Sequence, residues 1–340
     1  MKVAYLIDRD SVGGGREYIR QLRCGLGRNE TKMFFSAEKQ CRASAVNAWS
    51  PDVIHVNHLK ALLQLFSNPA CRPLAPVVFT VHGIHLRKFD FLPRTPSNRL
   101  KRFLRLRLER WLYGHCDRLI ALTPTDKEYI QRVYHVSTPV SVIANGVALT
   151  PAASMPALRY RKAEFMFISI ARFNFPKGQD ILLRAISHRQ TELRALARRT
   201  LLIGGGEMLA ELKDYVRKQK IDDLVEFAGE ISDASRYLDC GRVLIAPSRW
   251  EGFPMLILEA AARHKFVMAS DCPGNRDVVR DGETGLLFPV EEYRQLAELM
   301  IAEYDERTMR MRGDCLAADV AARFSVSGMT EATQGVYEEL

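Results

Sequence analysis

Two glutamates eight residues apart, Glu251 and Glu259, bracket the segment richest in potential chemistry: Pro247-Ser248-Arg249-Trp250-Glu251-Gly252-Phe253-Pro254-Met255-Leu256-Ile257-Leu258-Glu259-Ala260. A short apolar run over residues 243–246 precedes it and reads as a buried strand. Pro254 suits the first position of the helix that follows. Glu251 then stands in the loop ahead of the helix, and Glu259 about one turn inside it. Helical side chains lean back toward the helix start, so both carboxylates can face one ligand. Between them the amides of Met255 and Leu256, which have no intrahelical acceptor, make an anion site. A carboxylate for a ribose diol, amides for a diphosphate and a second carboxylate for sugar hydroxyls correspond to the parts of a nucleotide sugar. A solvated Glu251 and a surface Glu259 are the bland alternative, and the strand–loop–helix setting weighs against it.

Further candidates fall at other strand ends. Gly13, Gly14 and Gly15 follow the apolar run at residues 2–7 and precede a helix expected from Arg16. Glycines there let backbone amides approach a phosphate or sugar closely. They do not complete the G-x-G-x-x-G dinucleotide fingerprint, because Tyr18 holds the place of the third glycine, and a plain tight turn is the alternative. His82 falls just past the apolar run at 77–81. No metal-ligand cluster stands in a suitable loop, so a site without metal or bound cofactor is expected. Cys24, Cys41, Cys71, Cys116, Cys240, Cys272 and Cys315 are scattered and form no C-x-x-C pair. That argues against a disulfide framework or zinc site and fits a reducing compartment.

The elements that must position these residues alternate in type. Strands are expected over 2–7, 52–56, 77–81, 118–122 and 140–143, then over 165–171, 200–203, 225–228, 243–246, 266–269 and 286–288. Helical patterns fall between them, among others over 16–26, 97–113, 208–220 and 295–301. Continuously apolar strands alternating with helices imply parallel sheets covered on both faces. The 340 residues are about twice a typical domain, and a Pro/Ala/Ser stretch at 150–156 marks a boundary. The expected fold is α/β: two facing Rossmann-like, doubly wound domains, 1–150 and 151–318, followed by a C-terminal stretch, 319–340. Ligands of such sheets lie beyond the carboxyl ends of the strands. The cleft between the domains is therefore the expected active site.

With 47% hydrophobic and 26% charged residues the chain has the composition of a globular enzyme. Its first apolar run is too short for a signal peptide, and no stretch approaches a membrane span, so a cytoplasmic location is expected. Residues 1–150 hold 23 Lys+Arg against 11 Asp+Glu, and the remainder 26 against 29, so the whole net charge of +9 belongs to the first half. A one-sided charge implies an anionic partner. Over 99–112, Leu100, Phe103, Leu104, Leu108, Trp111 and Leu112 recur at helical spacing, with Arg99, Lys101, Arg102, Arg105 and Arg107 on the other faces. This is a core helix with a solvated basic face, or a surface that docks on anionic lipid. No aromatic–basic RNA motif or helix-turn-helix signature is present, so nucleic acid is not an expected partner.

The string P-S-R-W-E-G-F-P-M-L-I-L-E-A resembles the E-x7-E signature of the family 4 retaining glycosyltransferases, the bacterial group 1 enzymes of the two-domain GT-B fold. Other segments match in order: Val12-Gly13-Gly14-Gly15, Thr80-Val81-His82-Gly83, Asp117 to Thr123, Ile143-Ala144-Asn145-Gly146-Val147, Ala171-Arg172-Phe173, Lys177-Gly178 and Asp281 to Leu287. The resemblance implies that Arg172 and Lys177 hold the donor diphosphate. Negative charge builds up there as the glycosidic bond breaks, so two fixed cations favour the transition state over the ground state. It further implies that Glu259 holds ribose, and that Glu251 and His82 position the sugar, with His82 touching the transferred sugar or the acceptor. His82 is not a general base in this scheme, because the leaving phosphate takes the acceptor proton.

The implied donor is a UDP- or GDP-sugar. The implied acceptor is a glycan or lipid-linked glycan, in surface polysaccharide synthesis at the inner face of the plasma membrane. The resemblance also implies that the C-terminal helix crosses back to the first domain. A nucleotide-sugar epimerase would share the nucleotide site without needing an acceptor, and is the alternative enzyme. Ala148, where Asp is common after N-G-V, and Asp277, where Glu is commoner after Pro273-Gly274, depart from the family pattern.

Overall fold

Among the described residues twelve strands form, and every pairing between them is parallel. The computed structural model describes residues 1–8, 14–147, 163–231 and 233–340, with residues 14–17 described by their backbone alone. Gly13 and the Pro/Ala/Ser stretch lie outside the described residues. The chain divides into two units: Met1–Gly146 with Phe324–Leu340, and Val147–Arg323.

The first unit holds β1 (Lys2–Ile7), β2 (Glu30–Phe35), β3 (Val53–Val56), β4 (Val77–Val81), β5 (Arg118–Ala121) and β6 (Val140–Val142) in the order β2-β1-β3-β4-β5-β6. β1 shows why both faces are covered. Ala4 and Leu6 join the apolar cluster on one face, and Val3, Tyr5 and Ile7 join the other. β2 is a strand the sequence reading did not anticipate. It pairs only with β1, and its alternating Glu-Thr-Lys-Met stretch is the pattern of an edge strand with one wet face.

The last helix, Val326–Glu338, covers this unit's second face. Ser325 caps it by accepting the Gly328 amide at 3.1 Å. Tyr337 Oη lies 2.5 Å from His55 Nδ1, and the Gly146 amide donates to Met329 Sδ at 3.1 Å. A Cβ at Gly146 would stand 2.6 Å from Val326 Cα, which accounts for the glycine of Asn145-Gly146-Val147.

The second unit holds β7 (Phe165–Ile170), β8 (Thr200–Ile203), β9 (Val225–Gly229), β10 (Gly241–Ala246), β11 (Phe266–Ser270) and β12 (Leu286–Phe288), ordered β12-β11-β10-β7-β8-β9. The direction of strand addition reverses between β7 and β10 here, and between β1 and β3 in the first unit. Such reversal points open a crevice at the carboxyl strand ends. Among the described residues no helix is long and apolar enough to cross a membrane.

Candidate functional site

β7 runs into the short 3-10 turn Phe175–Lys177, then Gly178 and the helix Gln179–His188. Its neighbour β10 runs into the loop that carries Glu251 and then the helix Met255–Ala261. Because the two connections leave opposite sides of the reversal point, their residues meet above the strand ends. Lys177 Nζ donates to Glu251 Oε1 at 2.6 Å and to Oε2 at 2.8 Å, and Ser248 Oγ donates to Oε1 at 2.7 Å. The Glu251 side chain is 13% exposed and that of Lys177 33%, so the pair is sheltered yet reachable.

Close backbone packing holds this pair. Gly178 has φ +68°, and a Cβ there would stand 2.0 Å from Pro247 O, so the Lys177 turn lies directly on the loop leading to Glu251. Behind Glu251, Gly274 approaches so closely that a Cβ would fall 2.9 Å from Glu251 Cβ. The Gly274 amide donates to Asp277 Oδ2 at 3.1 Å. The unusual Asp277 thus has a job in this chain: it pins the turn that backs Glu251.

The helix start differs from the sequence expectation. Pro254 takes the N-cap position rather than the first helical one, and the helix begins at Met255. The Met255 amide turns back to Phe253 O at 3.0 Å, while Ile257 N–H reaches Pro254 O at 2.9 Å. The Leu256 amide alone of the three has no acceptor among the described residues. Glu259 follows Leu256 by three positions, hence on the same helix face, and is half-buried. Arg172 is exposed just beyond β7 and makes no ion pair among the described residues.

In the first unit the strand ends gather imidazoles. His82, after β4, lies 3.3 Å through Nε2 from Asn57 Oδ1, and Asn57 and His58 follow β3. Tyr18 sets its ring edge-on to His82 at 5.0 Å between centroids, and it is buried. The place of a third fingerprint glycine is therefore filled by an aromatic wall. Gly14 and Gly15 open the helix Gly14–Gly25 instead of preceding it, a correction to the expected start at Arg16. They belong to the first unit, whereas Arg172, Lys177, Leu256 and Glu259 belong to the second.

Desolvation, and then the neighbouring His58, push the His82 pKa down to about 3; part of the residue still reaches solvent, and the ring is neutral at pH 7. Desolvation likewise lowers His58. The Asp8 carboxyl is held below its usual range by the Ser36 hydroxyl at 2.5 Å and, more weakly, by Lys60 at 3.0 Å.

Several residues escaped the sequence reading. Asn57 and His58 carry no signal beyond standing just after an apolar strand, and Ser248, though inside the signature string, has no role of its own in that reading. Gly204-Gly205-Gly206 did carry one, since three glycines close β8 ahead of the helix Leu209–Gln219.

Residues 13–150 match the family described as Glycosyltransferase Family 4, and residues 164–305 that described as Glycosyl transferases group 1. The UDP-Gal:alpha-D-GlcNAc-diphosphoundecaprenol alpha-1,3-galactosyltransferase of Escherichia coli is 23% identical over 85% of this chain and 76% of its own length. Among solved structures, sucrose-phosphate synthase from Thermosynechococcus elongatus superposes with a TM-score of 0.81 at 21% identity, over 99% of this chain and 98% of the other. Anabaena Alr3699/HepE in complex with UDP-glucose gives 0.80 at 20% identity, with both chains covered completely. Successive segments that match the family, in a chain that shares the GT-B fold along its length, make this protein a member of the group 1, family 4 glycosyltransferases.

Proposed function

We propose that the chain is a retaining, metal-independent transferase that moves a hexose-type sugar from a nucleotide-diphosphate sugar to a glycan or lipid-linked glycan, in surface polysaccharide synthesis. The observation that carries this reading is the Lys177–Glu251–Ser248 cluster at the β7/β10 reversal point. Lys177 and Arg172 offer cations to the diphosphate, where charge develops as the glycosidic bond breaks. Glu251 accepts from sugar hydroxyls, Glu259 from the ribose, and the Leu256 amide, joined by Met255 if it turns, donates to a phosphate oxygen. In the first unit, Gly14 and Gly15 face the donor, and neutral His82 meets the transferred sugar or acceptor as a hydrogen-bonding group. The leaving phosphate takes the acceptor proton.

The relatives support a UDP-sugar and a lipid-linked acceptor, since one is named for both and HepE binds UDP-glucose. UDP, GDP, ADP and NAD are to be compared by thermal shift, followed by transfer from the matching sugar nucleotide to a polyprenyl-diphosphate sugar with and without EDTA. One nucleoside diphosphate should raise the melting temperature, the shift should vanish in Glu259→Ala, and transfer should survive EDTA. A folded chain that no nucleotide stabilises would sink the donor site, and loss of transfer in EDTA would sink metal independence.

A lipid-linked acceptor calls for a membrane-facing surface, and the helix Pro96–Tyr113 offers one. Leu112 and Tyr113 are buried, but Leu100, Phe103, Leu104 and Trp111 are 57%, 52%, 56% and 45% exposed. At about 100° per residue these four and Arg107 share one outward arc. Most of the apolar stripe thus points to solvent, as the docking alternative requires and the core alternative does not. Arg105 turns inward to the buried Glu109 and leaves the proposed surface, and Arg102 pairs with Asp90 at 3.5 Å. Arg99, Lys101 and Arg107 stay outward beside the apolar ridge, so the occupant that fits both is an anionic bilayer. Co-sedimentation with phosphatidylglycerol vesicles should fall at least tenfold in Leu100→Ser/Phe103→Ser/Leu104→Ser and be weak on phosphatidylcholine. Equal sedimentation of the triple variant would remove this surface from the reading.

A further inference from the structure

Arg249 stands two residues before Glu251, yet its side chain turns away from the carboxylate and into the protein, where the residue is only 4% exposed. Its backbone amide donates to Pro176 O at 2.7 Å, and Nη1 donates to Phe175 O at 2.7 Å. Those two carbonyls belong to the turn that ends in Lys177. The guanidinium carbon lies 3.9 Å above the Phe175 ring. The remaining donors fork onto carboxylates: Nη1 and Nη2 to Asp180 at 2.9 and 2.6 Å, Nε to Glu291, and Nη2 to Glu291 Oε2 at 3.4 Å. All five N–H groups of the guanidinium are thereby spent.

We propose that Arg249 is the positioning residue of the donor site, fixing the Lys177 turn against the Glu251 loop so that cation and carboxylate are presented at one spacing. This rests on the reading that Lys177 holds the donor diphosphate. One side chain and its own amide grip both residues ahead of Lys177, while the same chain segment continues to Glu251. The Phe175 ring stacks on the guanidinium face, and Asp180 anchors it to the first turn of the following helix. An ammonium cannot reproduce this, since lysine lacks both the planar fork and the flat face that stacks on a ring.

The experiment is a double-mutant cycle between Arg249→Lys and Lys177→Ala, read by calorimetric titration with UDP, GDP and ADP and by thermal melting. Arg249→Lys should weaken the best-bound diphosphate at least tenfold. In the Lys177→Ala background the same change should alter affinity less than twofold, because the turn then carries no cation to misplace. Equal losses in both backgrounds, or wild-type affinity in Arg249→Lys, overturn the inference and leave a purely fold-supporting ion cluster. Wild-type affinity in Lys177→Ala overturns instead the donor reading, and a wild-type chain that binds none of the three overturns both. If Arg249→Lys does not fold, Glu291→Gln, which removes one arm of the clamp from its more exposed side, takes its place in the cycle with the same expected pattern at smaller amplitude.

Discussion

Glu251→Gln is expected to bind the nucleoside diphosphate more tightly than the wild type while transferring sugar roughly 10² to 10³ times more slowly. The opposite signs follow from the ion pair itself. Lys177 Nζ is held by both Glu251 oxygens, at 2.6 and 2.8 Å, so an incoming diphosphate competes with a carboxylate for the same ammonium. The amide of glutamine keeps the shape but gives up the charge, which frees the cation for phosphate. It also weakens the acceptor that grips the sugar, and Ser248 Oγ loses a charged partner.

Lys177→Ala should do the reverse on binding: weaker diphosphate affinity together with a fall in kcat of similar size, since the cation is used most where the leaving group gathers charge. Titration of both variants with the diphosphate and steady-state transfer assays separate the two effects. Turnover near the wild-type level in either variant would remove it from the machinery. Unchanged affinity in both would show that the ion pair stands apart from the phosphates.

Strands with continuous apolar runs, such as Val77–Val81 and Phe165–Ile170, were legible in the sequence because burial on both faces leaves no other composition. β2 was not, because an edge strand needs only one apolar face and Glu30-Thr31-Lys32 looks like loop. The helix Pro96–Tyr113 stayed open between a core helix and a docking surface for a different reason. Helical spacing reports which residues share an arc but not which arc faces the core, so the exposure of Leu100 and Phe103 beside a buried Leu112 could not be read from it. In the site, Glu251 was a candidate from its place in the strand–loop–helix segment and Lys177 only through the family resemblance, and neither route foretold their contact. It depends on Gly178 lying against Pro247 and on Arg249 holding the intervening turn, and neither leaves a periodic trace.

Acid should unfold the first unit before the second, and one cause should be a histidine that no catalytic scheme uses. His55 is fully buried, with Nε2 2.7 Å from Thr80 Oγ1, Nδ1 2.5 Å from Tyr337 Oη, and the rings of Tyr5 and Tyr18 beside it. Desolvation, with a smaller push from His82, drives its pKa down to about 3, and His82 is shifted to about 3 as well. An unfolded imidazole takes up its proton near pH 6.5, whereas the folded ones refuse it until about pH 3. Between those values the unfolded state binds more protons, so stability is fully present above pH 6.5 and declines as pH falls through the window. Each group contributes a slope of about 1.4 kcal/mol per pH unit. Against a typical total stability of roughly 5–15 kcal/mol, two such slopes are decisive near pH 4–5. Trp49 and Trp111 report on the first unit and Trp250 on the second. Fluorescence melts of Trp250→Phe should therefore show the early acid transition, and melts of Trp49→Phe/Trp111→Phe the late one. His55→Gln keeps hydrogen-bonding atoms toward Thr80 and Tyr337 without a titrating ring, so it should reduce the pH slope of the first transition, to which His58, His82 and His85 also contribute, even if it lowers the melting temperature at pH 8. An unchanged slope would place the acid sensitivity elsewhere. Because Tyr337 lies on the C-terminal helix, protonating His55 strikes the contact that fastens the chain's end to its first sheet, and that helix should be the first element released.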